Sequence, residues 1–132
     1  MASNLKVLSI LQPWAWAIVA GHKPVENRRW VASHRGPLLI HAGKKWGREQ
    51  RDDLALVRRM FPRLEIPDHF DLGGIVGRAT MVDCVSSMDS PWFFGPNGFV
   101  MRDARILPFF PCRGALSFFA PPEDYPYLDQ AA

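Results

Sequence analysis

Lys23, Glu26 and Arg28 lie close together in the chain, with Trp14 and Trp16 before them and Trp30 just after. If residues 24–30 run as a strand, alternation puts Glu26 and Arg28 on one side and Val25 and Asn27 on the other. A carboxylate and a guanidinium so placed either pair or flank a ligand, and a plain surface pair would add little stability. As a ligand site, Lys23 and Arg28 suit phosphate. Glu26 would orient one of them or accept from a base amine, and Gln12 and Asn27 carry amides able to read base edges. Alternation turns Asn27 inward. The same residues admit a second chemistry, in which Lys23 and Glu26 act as an acid/base pair in the hydrolysis of an amide or phosphodiester. Burial and a neighbouring guanidinium lower a lysine pKa, and Glu26 opposes that lowering.

Five tryptophans stand in the chain, at 14, 16, 30, 46 and 92. Aromatic faces beside basic groups stack unpaired bases at about 1–3 kcal/mol per base. Trp14 and Trp16 are two apart on a short helix and cannot both face the core, so one of them lies nearer a cleft. Trp92 sits in the loop Ser90-Pro91-Trp92-Phe93-Phe94-Gly95-Pro96-Asn97-Gly98, where a scaffold can present it to a ligand. The other reading of that loop is an apolar plug at the end of a barrel. His41, within Leu39-Ile40-His41-Ala42, is either a satisfied core group or a ligand contact. Lys44, Lys45, Arg48 and Arg51 form either a phosphate-facing stripe or the solvated start of a helix.

Other signatures are missing. Gly73-Gly74-Ile75-Val76-Gly77 is not a dinucleotide fingerprint, and no phosphate-loop Lys-Ser/Thr follows it. No G-x-S-x-G elbow occurs. The four histidines show no i, i+4 pair and the two cysteines no C-x-x-C pair, so no metal is expected; no cofactor is expected either. Cys84 and Cys112 read as small buried apolar residues.

The elements that must position these groups follow from pattern and punctuation. Leu5–Ile10 reads as a first strand, and Pro13 opens a helix over 14–20 that Gly21 ends. Residues 37–42 read as a buried strand. Gly47–Phe61 reads as a helix with Leu54, Val57 and Phe61 on one face, stopped by Pro62. Residues 73–85 form a long strand able to bend at Gly77, and 99–107 and 114–120 the last two strands. The order β-α-β-β-α-β-β-β predicts an α+β fold, a small barrel with two main helices. Residues 1–120 form one domain and 121–132 a loose tail.

Composition agrees with one globular domain: 132 residues, 48% apolar and 22% charged. No apolar run reaches the roughly 20 residues of a membrane span, and no secretory signal is visible, so a cytoplasmic protein is expected. The net charge of +3 is unevenly spread. Residues 1–63 hold 12 Lys/Arg against 4 Asp/Glu, and residues 64–132 hold 4 against 9. The halves either occupy different faces, giving a basic face that attracts phosphate, or intermix.

Leu8-Ser9-Ile10-Leu11-Gln12-Pro13-Trp14, followed by Gly21-His22-Lys23-Pro24-Val25-Glu26-Asn27-Arg28-Arg29-Trp30, resembles the ASCH domain family. Arg35–Ala42, Gly73–Gly77, Ser90-Pro91-Trp92, Gly95–Phe99 and Pro111–Gly114 extend the match over nearly the whole chain, toward bacterial and phage members. The resemblance implies a PUA-like barrel, a cleft between barrel and helices, and binding of RNA or a nucleotide. One small branch of the family removes acyl groups from modified cytidine with a lysine, a threonine and a glutamate. That lysine carries over to Lys23, whereas the threonine's place is taken by Glu26, which has no hydroxyl.

Overall fold

The computed structural model describes residues 4–132. Its elements are β1 (Lys6–Ile10), α1 (Trp14–Val19), β2 (Val25–Arg28), β3 (Gly36–Ala42), α2 (Arg48–Met60), β4 (Gly74–Val85), β5 (Asn97–Pro111) and α3 (Leu128–Ala131). The five strands make one sheet in the order β1-β3-β4-β5-β2. Only β1 and β3 run parallel, with Lys6 opposite Leu38 and Ile10 opposite Ala42. A parallel pair needs a long crossover, and α1 with β2 lies within it. The long antiparallel pair β4–β5 shifts register at three places, and β3–β4 at one. Such irregularities bend and twist strands, and here the sheet curls into a half-barrel whose two edges are β1 and β2.

The curled sheet and α1 enclose the main core. Leu8, Ile10, Leu38, Ile40, Met81 and Phe99 from the strands meet Ala15, Ile18 and Val19 from the helix. Helix α1 comes very close to the sheet at Gly77, where a Cβ would lie 2.7 Å from Val19 Cβ and 2.4 Å from the Arg105 carbonyl oxygen. The glycine at this position therefore serves close packing as well as strand curvature. Outside α1, the apolar face of α2 behaves as its spacing predicts. Val57 is buried with Ala17, Val25 and Trp92, and Phe61 packs beside them.

Two expectations are corrected. Residues 114–120 do not form a strand; their one sheet-like contact is an isolated antiparallel bridge, with backbone bonds in both directions between Val7 and Phe119. Pro121 and Pro122 follow at once and have no N–H to extend a ladder. Sheet-forming residues instead extend β5 to Pro111, well past the expected end at 107. Residues 121–132 are not a loose tail. Tyr125 and Ala131 are buried in a second core cluster with Leu5, Val7, Leu39, Ile75 and Leu107. Arg78 Nε donates to the Ala131 carbonyl at 3.1 Å, and its Nη1 donates to the Asp103 carbonyl at 2.6 Å. An aromatic residue seeking burial and a buried guanidinium seeking carbonyls outweigh the polar, proline-rich composition.

Tyr125 hides its hydroxyl without a hydrogen-bond partner. Burial, then the neighbouring Tyr127 and Cys112, push its phenol from 10.0 up to about 12. The unfolded phenol therefore ionises first, so stability falls as pH rises from 10 toward 12. Tyr125→Phe is expected to raise stability at neutral pH by about 1 kcal/mol, since it removes an unsatisfied buried group. It should also remove this residue's share of the alkaline loss. Urea unfolding at neutral and alkaline pH measures both.

Candidate functional site

Chain geometry brings Lys23 to the end of α1. The His22 and Lys23 N–H groups both donate to the Ala17 carbonyl, at 2.9 and 2.8 Å. This folds the chain back across the helix end and sends Lys23 inward, where it is 3% exposed. Its Nζ donates to the Val25 carbonyl and, at 3.2 Å, to Glu26 Oε1. The ammonium also sits 5.5 Å from the centre of the Trp14 ring. Glu26 Oε2 accepts from Arg28 Nε at 2.9 Å, so Glu26 and Arg28 share a face of β2 as alternation predicts. Arg28 Nη2 then donates to the Ser9 carbonyl at 2.7 Å. Ser9 belongs to β1, the opposite edge of the sheet. A lysine, a carboxylate and a guanidinium thus form a chain that ties one edge of the half-barrel to the other.

Burial lowers the Lys23 pKa, and it outweighs the opposing charge and hydrogen bond of Glu26; Arg28 lowers it further. The sequence reading identified the contest between these effects but not its outcome, because burial decides it. Lys23 is enclosed, whereas Arg28 is partly exposed and its Nη1 takes no part in either bond described above.

Trp14 and Trp16 are both partly exposed, and Trp14 is the one that borders this cluster. Its indole N–H donates to Asp53 Oδ2 at 3.0 Å, tying α2 to α1. Phe94, 52% exposed, meets it edge-on with ring centres 6.0 Å apart. Phe94 belongs beside Trp14 in this site and was passed over in the sequence; the Phe93-Phe94 doublet in a loop was the available signal.

Three expected contacts are structural instead. Trp92 is buried, stacked on Phe61 at 4.3 Å and edge-on to Trp14, which leaves no face for a base. The ring is packed between α1, β2 and the end of α2, outside the sheet's main core. Asn27 Nδ2 donates to the Trp92 carbonyl at 3.0 Å, and its Oδ1 accepts from the Phe94 and Gly95 N–H groups at 2.8 and 3.0 Å. Both ends of the amide therefore hold the loop that presents Phe94. Gln12 is buried, donates to the Asp71 carbonyl and accepts the Trp16 N–H, so its amide fastens the chain between α2 and β4 to α1. In both amides the polar group satisfies backbone that would otherwise be stranded.

His41 is buried on the other side of Ser9, away from Trp14, bonded to Ser9 Oγ and the Cys112 carbonyl. Lys44 and Lys45 are exposed in the loop before α2, and Arg48, Arg51, Arg58 and Arg59 are exposed on the helix itself. Half of the Lys and Arg of residues 1–63 thus stand on this element and its approach, where Glu49, Asp52 and Asp53 offset part of their charge. Among the described residues no group of three or more His, Cys, Asp or Glu is arranged to hold a metal ion. No helix there is long and apolar enough to cross a membrane.

The ASCH domain family model matches residues 8–101, which include the end of β1, all of α1 and β2, the whole cationic chain and Trp92. The chain belongs to the ASCH domain family. Activating signal cointegrator 1 of Mus musculus and of Homo sapiens are each 37% identical to it over 82 residues. The match takes in 60% of this chain but 14% of each relative, so this ASCH domain spans a small part of their length. Among solved structures, ASCH from Zymomonas mobilis is similar at 17% identity and a TM-score of 0.53, covering 92% of this chain and 90% of that one. A mutant protein of ZmASCH from the same organism is similar at 15% identity and a TM-score of 0.55, covering 91% and 89%. At such identity the likeness establishes the fold of this ASCH domain, an α+β, PUA-like half-barrel.

Glu26 neutralises two cations at once in a buried setting. Glu26→Gln is expected to destabilise the domain by about 3 kcal/mol, because it leaves the buried Lys23 and the Arg28 guanidinium without a counter-charge. Urea unfolding at neutral pH measures the loss.

Proposed function

We propose that this ASCH domain binds single-stranded RNA or its nucleotides on the surface where Trp14 and Phe94 meet. The observation that carries the reading is the partly exposed Trp14 ring, with the exposed Phe94 edge-on to it and the Lys23 ammonium beside its face. An unpaired base stacks on such aromatic groups irrespective of its identity. Arg28 stands next to this surface, and Asp53 draws α2 against Trp14, which brings the exposed Arg48 and Arg51 within the same part of the molecule. These cations would track a phosphodiester backbone. Glu26 acts here by holding Arg28 in place. A cytoplasmic location fits this partner and the two free thiols.

Binding of a short oligouridylate, followed by tryptophan fluorescence, is expected to weaken with salt, log K falling linearly with log salt. Phe94→Ala should weaken binding about tenfold, one lost stacking contact, with little change in thermal stability. Arg48→Ala/Arg51→Ala should flatten the salt slope. Binding insensitive to both salt and Phe94 would overturn the reading.

The depressed lysine favours a second reading, a hydrolase. A lysine that loses its proton more readily than usual, hydrogen-bonded to a carboxylate, is suited to proton transfer during cleavage of an N-acyl nucleoside or a phosphodiester. Under that reading, incubation with N-acetylcytidine and short RNAs gives a product detectable by mass spectrometry, absent with Lys23→Ala. No product from either substrate would leave binding as the function.

A further inference from the structure

A cavity of about 790 Å³ opens on the side of β1 away from Trp14. Ser9 and His41 line it, with Leu72 and Pro111 as apolar wall, Leu116 exposed at its mouth, and the exposed Lys44 and Arg113 as cations. The Ser9 hydroxyl lies 3.0 Å from His41 Nδ1, and His41 Nε2 lies 2.8 Å from the Cys112 carbonyl. A carbonyl only accepts, so Nε2 carries the ring proton. In the neutral ring Nδ1 is then the acceptor, and the Ser9 hydroxyl donates to it. A hydroxyl donating to an imidazole whose far nitrogen is held by a fixed acceptor is the arrangement of an activated nucleophile and its base.

We propose that Ser9 and His41 form a reactive centre for acyl transfer, taking carboxylic esters that bear an anionic group. Ser9 Oγ bonds to the acyl carbon while its proton passes to His41 Nδ1. The bond from acyl carbon to alcohol oxygen breaks, and the alcohol leaves with the proton from Nδ1. Water then attacks the acyl-serine with His41 again taking the proton, which returns to Ser9 as the acid departs. The Ala115 N–H donates to Ser9 Oγ at 3.3 Å and so helps hold the hydroxyl in place beside His41. Lys44 and Arg113 supply the attraction for the anionic group, and the apolar wall accommodates the body of the ester.

Two further features mark this corner as built around the hydroxyl. Gly114 covers the pair so closely that a Cβ there would lie 2.3 Å from Ser9 Oγ and 2.8 Å from His41 Cε1. Burial also pushes the neighbouring Cys112 thiol up and so disfavours its thiolate, and His41 Nδ1 faces the Ser9 hydroxyl instead. The proposal does not depend on the RNA reading, since Ser9 turns its carbonyl to Arg28 and its side chain to His41.

The test is intact-mass and tandem mass spectrometry of the full chain after incubation with a fluorophosphonate probe. One phosphonyl adduct on Ser9 of the unmutated protein is the expected result, formed at least about tenfold more slowly by His41→Gln. Turnover completes the test: 4-nitrophenyl succinate should be hydrolysed about tenfold faster than 4-nitrophenyl butyrate, and Lys44→Ala/Arg113→Ala should erase that preference. No adduct, or an adduct elsewhere than Ser9, overturns the reactive centre. Adduct formation with equal rates on the two esters overturns the anionic substrate class. Adduct formation on the unmutated protein decides the first point even if a variant fails to fold.

Discussion

The bond from Arg28 to the Ser9 carbonyl is the constraint on which the rest of the site depends. A five-stranded half-barrel has two open edges, and an open edge exposes unpaired backbone groups. Here β1 meets the other side of the sheet through one side chain rather than through a ladder. Val7 turns its backbone to Phe119, and Ser9, two residues on and facing the same way, turns its carbonyl to Arg28. The guanidinium is oriented by Glu26, and Glu26 also meets the buried Lys23 ammonium. Removing one member leaves a charge or a carbonyl without its partner in a place that water reaches poorly, so the three residues function as a unit.

That closure sets what each face of β1 can do. On one side, Trp14 and Phe94 border the cationic chain, held there by the Asp53 and Asn27 hydrogen bonds. On the other, Ser9 and His41 look into a separate cavity roofed in part by the chain that follows β5. Ser9 belongs to both, by its carbonyl and by its hydroxyl. Helix α2 carries the exposed arginines without disturbing the core, because its buried contribution is concentrated in Val57 and Gln50 while the remaining faces stay in water.

Much of the architecture was legible in the chain. Pro13 and Gly21 bracket α1, Pro62 follows the end of α2, and the apolar stripe of α2 buries the face that its spacing indicates. The pairing of Glu26 with Arg28 follows from the two-residue period of a strand. The last part of the chain was not legible. Extended, apolar residues at 114–120 look like a strand, but strand formation needs a partner edge with free donors and acceptors in register, and β1 offers only Val7. Tyr125 was hidden among prolines and acids, and its burial depends on a cluster assembled from β1, β3, β4 and β5.

By itself, the amino-acid sequence determined the family, the order of the main elements and the gathering of Lys23, Glu26 and Arg28, because these depend on local period, local punctuation and short separations. Tertiary structure alone decided which polar groups remain free to meet a ligand. Gln12, Asn27 and Trp92 have the right chemistry for base recognition, yet the Asp71 carbonyl, the 92–95 loop and Phe61 occupy them. Ser9 and His41 stand 32 residues apart and meet because β1 and β3 pair in parallel with these two residues in register. The physical reason is the same in each case: desolvation and partner satisfaction are properties of a packed neighbourhood, and a linear pattern does not contain the neighbours.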